Sequence, residues 1–333
     1  MSKVFCAPKD LIPNPRTPGI EYFSMYGHDG LDDVSTVGST LMEDTKVAGM
    51  SPSAMSWDFL SLSLAVNAAD HAIERSTSPD GWTRIIEIEL ALSEPAPFQE
   101  AIREIQNALR FLTGDFWHLT FTDGGYPPPR PQSTVQHDAD CVSLLSGGLD
   151  SLVGAIDLKA QGRSPLFVSH IARGDKEKQC QYAALLGKEG NHVQWNQNIR
   201  LKPANREAEP STRARSIVFF AFAAISADHL ARLGSVEKVE VFVPENGLIS
   251  LNVPLNAGRV GSLSTKTTHP VFMRRLQALW DSLGIPAVLR LPYATKTKGE
   301  MLAECADQAT LAEVGGQSTS CGRFGKHGLK HPD

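Results

Sequence analysis

The sequence predicts an α/β protein whose C-terminal part is a mostly parallel, doubly wound sheet, with an extra N-terminal α+β domain ahead of it. Three observations carry this. After Asp140, short near-continuous apolar runs alternate with helical segments, a pattern that calls for a parallel sheet covered on both faces. Before that, "WTRIIEIELAL" alternates polar and apolar residues, as a strand does when one face is buried. Between the two regions, "TDGGYPPPRPQSTVQHDAD" (Thr122 to Asp140) is rich in Gly, Pro and small polar residues and reads as a linker. The boundary is therefore set near residue 135, giving domains 1–135 and 136–333.

In chain order, Met1 to about Met50 is punctuated by Pro and Gly and shows no strong period. "WDFLSLSLAVNAADHAIER" has apolar residues at helical spacing, "PFQEAIREIQNALRFL" is an amphipathic helix, and "FWHLTF" is a further strand. This half holds no glycine loop, metal-ligand cluster or nucleophile context, so packing, substrate cover or partner docking is its expected role. Beyond the linker the strands "CVSLL", "PLFVSHI", "HVQWN", "KVEVFVP" and "AVLRLPY" are each followed by a helix: Leu149 to Lys159, Lys176 to Lys188, Thr212 to Leu233, Val271 to Leu283 and Lys298 to Ala309. In such sheets ligands bind at the carboxyl ends of the strands, so the loops there are the places to search. No internal repeat is visible by eye.

At 333 residues two domains are the natural expectation, and 41% apolar with 21% charged residues excludes disorder as the default. A net charge of -5 argues against a broad basic face, so nucleic acid is not expected as a direct partner. The start, "MSKVFCAPKD", has no apolar signal region, and no uninterrupted apolar run spans a bilayer, so a cytoplasmic protein with no membrane partner is expected. Five scattered cysteines, odd in number, are read as reduced thiols.

The segment "SGGLDS", from Ser146 to Ser151, follows the first C-terminal strand and opens its helix. Adjacent glycines let the backbone approach an anion, and N–H groups at the helix start, with Ser146 and Ser151, can hold phosphate oxygens. The loop lacks the Lys of G-x-x-x-x-G-K-[ST], and neither G-x-G-x-x-G nor G-x-S-x-G fits. It resembles the S-G-G-x-D-S PP-loop of the N-type ATP pyrophosphatases, whose domain is a HUP-like α/β sheet. The resemblance implies ATP cleaved between the α and β phosphates. It implies that Ser146, Gly147, Gly148, Leu149 and Ser151 cradle the pyrophosphate while Asp150 helps hold Mg²⁺.

Downstream stretches narrow the resemblance. "STRARSIVFFAFAA" puts Arg213 and Arg215 at a helix start, where guanidinium forks reach phosphate or carboxylate. "PENGLISLNVPLNAGRVGSLSTKTTHP" is the longest loop of this half; Glu245, Asn246, Thr267, Thr268 and His269 suit a purine-like edge, with Lys266 and Arg259 adding positive charge. "PYATKTKGEM" supplies Lys296 and Lys298, and Lys296 is favoured as the cation that neutralises pyrophosphate. Together with SGGLDS these resemble the 7-cyano-7-deazaguanine synthase (QueC-like) branch over roughly Ala139 to Asp333. They are more closely similar to the QatC-type proteins of anti-phage defence operons, whose N-terminal regions "DGWTRIIEIEL" and "LRFLTGDFW" also resemble.

The resemblance implies an adenylating ligase in which Asp150, Lys296 and Arg215 are catalytic. A 7-deazaguanine-type carboxylate attacks ATP, and ammonia or an amine on a partner protein of a defence operon then displaces AMP to give an amide or, with ammonia and a second ATP-dependent step, a nitrile. That branch also carries four zinc-binding cysteines. The last three of these are clustered; Cys321 stands at the position resembling the first ligand, with Cys305, His327 and His331 as poor substitutes for the rest, so Zn²⁺ is expected only if the motif continues past residue 333, and truncation is the expectation. Two alternatives stay open: a nucleotide-binding subunit kept for assembly, and a tRNA-modifying enzyme of the same loop type, for which Cys180 alone is weak support.

Overall fold

The computed structural model describes residues 1–27, 31–171, 176–234, 236–251 and 266–318. The N-terminal half contains β1 (Ser2–Ala7), β2 (Ile20–Met25), β3 (Ser35–Val37), α1 (Leu41–Val47), α2 (Ala54–Ala72), β4 (Ile85–Leu92), α3 (Pro95–Glu100), α4 (Ile102–Thr113) and β5 (Phe116–Asp123). The C-terminal half contains β6 (Cys141–Leu144), α5 (Leu149–Ala160), β7 (Pro165–His170), α6 (Lys176–Leu186), β8 (His192–Trp195), α7 (Arg215–Gly234), β9 (Val239–Phe242), α8 (Gly247–Leu251), α9 (Pro270–Ser282), β10 (Ala287–Arg290), α10 (Lys298–Ala303) and α11 (Gln308–Val314).

The strands form two five-stranded sheets, β3-β2-β1-β4-β5 and β10-β9-β6-β7-β8, in which every pair is parallel. The second is the doubly wound sheet that the strand–helix alternation predicts. The first departs from expectation: it is a parallel α/β sheet rather than α+β, and β1 to β3 lie within the first fifty residues. Those strands escape a periodicity reading because β3 is three residues long and β1 and β2 are separated by Pro- and Gly-containing turns. Among the described residues, β1, β2 and β3 are joined by loops with a single 3-10 turn at Lys9–Leu11. Helices therefore cover one face only, which is why Glu87 and Glu89 of β4 alternate with buried Ile86, Ile88 and Leu90.

Counted within its own half, each sheet has the strand order 3-2-1-4-5. The helix ahead of the fourth strand is α2 in one half and α7 in the other, and the two pack on each other between the sheets; α4 and α9, which follow the fourth strands, pack likewise. Each of α2 and α7 carries an Ala-Asp-His triplet near its end, Ala69-Asp70-His71 and Ala227-Asp228-His229. Asp70 accepts from the N–H groups of Arg213 (2.6 Å) and Ala214 (2.7 Å) ahead of α7, and Asp228 accepts from the N–H of Ser53 and from Ser56 Oγ (2.7 Å) at the start of α2. Carboxylates thus cap the start of each antiparallel helix from its partner, where orphan N–H groups and the helix dipole favour negative charge. The halves form a structural repeat that the sequence does not display to the eye.

One hydrophobic cluster runs from Val4 in β1 to Ala287 in β10. The boundary near residue 135 is a change of sheet, not a break in the core. Helix α7 is, among the described residues, long and apolar enough by length and composition to cross a membrane, although Asp228, His229 and Arg232 interrupt its apolar run, and 78% of its apolar window is buried between α2 and the second sheet.

Next to Asp70 the interface is ionic. Arg75 donates to both oxygens of Asp115 (2.9 Å each), and Arg84 donates to Asp115 Oδ2 (2.7 Å), to Asp70 Oδ1 and to the carbonyls of Asp70 (3.0 Å) and Ile73 (2.7 Å). All four side chains are buried. Removing one partner leaves a buried charge uncompensated, so Asp70→Ala is expected to lower stability by about 3–5 kcal/mol. Urea denaturation followed by circular dichroism checks this, with one transition expected because both halves share a core.

Candidate functional site

Strands β6 and β9 are neighbours in the sheet although β7 and β8 lie between them in sequence, and the crevice at their carboxyl ends is where a ligand fits. The SGGLDS segment enters that crevice. Gly147 has φ +88°, a conformation that side-chain-bearing residues adopt only with strain, and Gly148 is the N-cap of α5. Ser151 Oγ donates to Gly148 O (2.8 Å), accepts from Ser146 N (3.2 Å) and lies 3.0 Å from Ser146 Oγ. The hydroxyls expected to hold phosphate therefore also shape the loop. Leu149 turns its side chain into a core shared with Leu311 and Val314 of α11, so it anchors the loop. One turn on, a Cβ on Gly154 would lie 2.4 Å from Pro244, so only glycine lets α5 approach the segment after β9.

That approach brings Asp150 to Asn246. Asp150 Oδ2 accepts from the Asn246 backbone N–H (3.1 Å) and Nδ2 (2.6 Å), while its buried Oδ1 has no hydrogen-bond partner. Lys298 Nζ stands 3.5 Å from that oxygen. Lys296 instead pairs with Glu304 at 2.6 Å and borders a separate cavity of about 170 Å³ beside Asp157 and Tyr293. A capping box of Thr297 and Glu300 starts α10 between the two lysines and sends them to different places.

A cavity of about 410 Å³ opens beside the loop, lined by Ser146, Ser151, Arg215, Glu245, Thr267 and Thr268 among others. Glu245 is pushed up to about 7, first by burial and then by the charge of Asp150, against the opposing pull of Lys298. Thr268 is buried and its Oγ1 accepts from Ser250 Oγ (3.2 Å). Lys266 and His269, expected at the same site, face Phe111 of α4 instead: Lys266 Nζ is 4.7 Å and the His269 ring 4.9 Å from its centroid, and His269 Nδ1 accepts from Val271 N as the cap of α9. Arg215 packs over Phe219. Arg213 lines the cavity too, but its guanidinium lies over Trp82 of the N-terminal half.

A smaller lobe of about 80 Å³ adjoins, sharing Leu144, Ser146, Arg215 and Phe219 and adding Val168, His170 and Phe222. Neither ring nitrogen of His170 has a hydrogen-bond partner, and its ring lies against Phe219 (4.8 Å) and Phe222 (6.1 Å). Burial, then the charge of Arg215, holds it down to about 3, so it is neutral at working pH. Sequence reasoning missed this lobe, although a polar residue ending the strand "PLFVSH" beside a glycine loop was a usable signal.

Among the described residues no group of three or more His, Cys, Asp or Glu is placed to hold a metal. Cys321, His327, His331 and Arg259 lie outside the described residues. Cys305 is buried, with its thiol pushed up by burial.

Glu245 supplies a pH signature. Its folded value lies above its ordinary one, so its protonated form favours the fold and stability falls as pH rises from about 4.5 through about 7. Glu245→Gln is expected to remove that slope and to exceed the wild type by up to about 3 kcal/mol above it, read from denaturation at several pH values. No protein-family model, curated protein or solved structure matches the chain.

Proposed function

We propose that this protein is an ATP-dependent adenylating ligase that joins a carboxylate to an amine with release of AMP and pyrophosphate. The observation that carries the reading is the complete Ser146–Ser151 loop at the sheet's reversal point, with an Asp150 oxygen beside it that makes no hydrogen bond and faces the Lys298 ammonium at 3.5 Å. A loop with glycine backbone, two hydroxyls and no lysine suits a leaving pyrophosphate better than transfer of a terminal phosphoryl group.

The donor set fits Mg²⁺, which binds through one or two carboxylates together with phosphate oxygens. Asp150 Oδ1 would hold it, and the ion would supply charge neutralisation on the leaving group. This chain's residues do the remainder. Asn246 fixes the Asp150 carboxylate, Ser146 offers its hydroxyl to phosphate from a loop that Ser151 shapes, and Lys298 takes the role assigned to Lys296, since it is the lysine beside Asp150. Arg215 faces the co-substrate's acid, and Glu245 and Thr268 offer an acceptor and a donor to a base-like edge. The small lobe with neutral His170 between aromatic rings suits a flat heterocycle such as the ATP base.

The substrate class, a 7-deazaguanine-type acid, and the setting, an anti-phage defence system with ammonia or a partner-protein amine as acceptor, rest on the resemblance of SGGLDS and the downstream stretches to QueC-like proteins. The test is incubation with ATP, Mg²⁺, 7-carboxy-7-deazaguanine and an ammonium salt, with AMP, pyrophosphate and product mass recorded. AMP and pyrophosphate in equal amounts are expected, with Asp150→Asn slowing release about a hundredfold or more. No AMP from the wild type with any carboxylate and amine pair would sink the reading and leave the assembly subunit in its place.

A further inference from the structure

We propose that the basic patch around Phe111, where α4 packs on α9 next to Thr267 and Thr268 of the cavity lining, is a docking site for an acidic segment of a partner polypeptide. Phe111, half-buried on α4, has two cations beside it, Lys266 Nζ at 4.7 Å and Arg275 Cζ at 5.8 Å, together with the His269 ring at 4.9 Å. Arg274 is exposed and adds its charge to His269, and Arg213 adds its charge to Lys266, so both groups are held below their ordinary values by burial and by positive neighbours. Among the described residues, Lys266, His269, Arg274 and Arg275 make no ion pair with a carboxylate. On a chain of net charge -5, a cluster of like charges left unbalanced at a cavity rim is paid for by stability and is complementary to an anion.

The geometry selects the kind of anion. Nucleic acid stacks bases on open aromatic faces and follows a long basic track. Here cations already occupy the surroundings of Phe111, and Glu104 stands two turns before it on α4, so the basic patch is short. Arg275 Nη1 donates to Asn107 O (2.6 Å), which ties α9 to α4 and holds the cations in one frame. A few carboxylates of a polypeptide fit that frame. Thr267 and Thr268 continue from it into the cavity, so a docked segment lies at the cavity mouth. This docking depends on the charges around Phe111, whatever reaction the cavity carries.

The test uses the whole chain and fluorescein-labelled hexaglutamate, followed by anisotropy, with hexauridylate as the comparison ligand. Binding is expected at about 50 mM salt and a loss of about tenfold by about 200 mM, as for exposed charges. Arg274→Glu, and separately Arg274→Gln, are expected to weaken hexaglutamate, the former about tenfold or more, while the unfolding midpoint stays that of the wild type. Absence of hexaglutamate binding at the lower salt, equal affinity in both variants, or tighter binding of hexauridylate overturns the proposal. None of these readouts involves AMP release, so failure here is distinct from failure of the ligase reading.

Discussion

The carboxylate of Asp70 is where the two halves are fastened. It lies on α2 in the N-terminal half, yet it caps the segment leading into α7 and bonds Arg84 of its own half. Two arginines and two aspartates removed from water gain from each other only if the geometry is held, and here almost every donor has an acceptor. The consequence reaches the cavity. Arg213 and Arg215 line it because the start of α7 is clamped by Asp70, and Arg213 is held over Trp82 from the same half. The N-terminal half thus supplies structure to a site whose loop it does not contain.

The shared strand order makes the unequal chemistry of the halves instructive. After β6 the chain places Ser146-Gly147-Gly148, with a positive-φ glycine and a helix N-cap. After β1 it places Pro8-Lys9-Asp10, with no glycine pair and only a 3-10 turn. The first arrangement leaves N–H groups free to meet an anion; the second cannot, since proline has no N–H and no long helix begins there. The same contrast explains why helices leave one face of the first sheet to loops that pack on Tyr22, where α5 and α6 have no described counterparts.

Electrostatics divide the site into regions. Around Asp150 and Glu245 acids crowd together, one held by Asn246 and the other pushed toward its neutral form. Beside Phe111 stand the cations Lys266 and Arg275. The cavity runs between these poles, and in its aromatic lobe the Arg215 guanidinium stands beside a neutral histidine.

What the residues alone determine is local. SGGLDS can be read because its features are set by contiguous residues: a strand end, glycine torsions, and hydroxyls within five positions. The C-terminal sheet is legible for the same reason, since near-continuous apolar strands and their following helices announce themselves. The N-terminal sheet is not, because short strands between proline turns carry no period, and the repeat of α2 in α7 survives as one triplet and a shared topology. Tertiary structure alone decides which lysine meets Asp150: Lys296 and Lys298 are equivalent in sequence, and a capping box at Thr297 sends one to Glu304 and the other to the loop. It likewise decides that Lys266 and His269 turn from the cavity to Phe111, and that His170 turns into it. Side-chain direction depends on neighbours brought from distant parts of the chain by packing, and no stretch of sequence contains those neighbours.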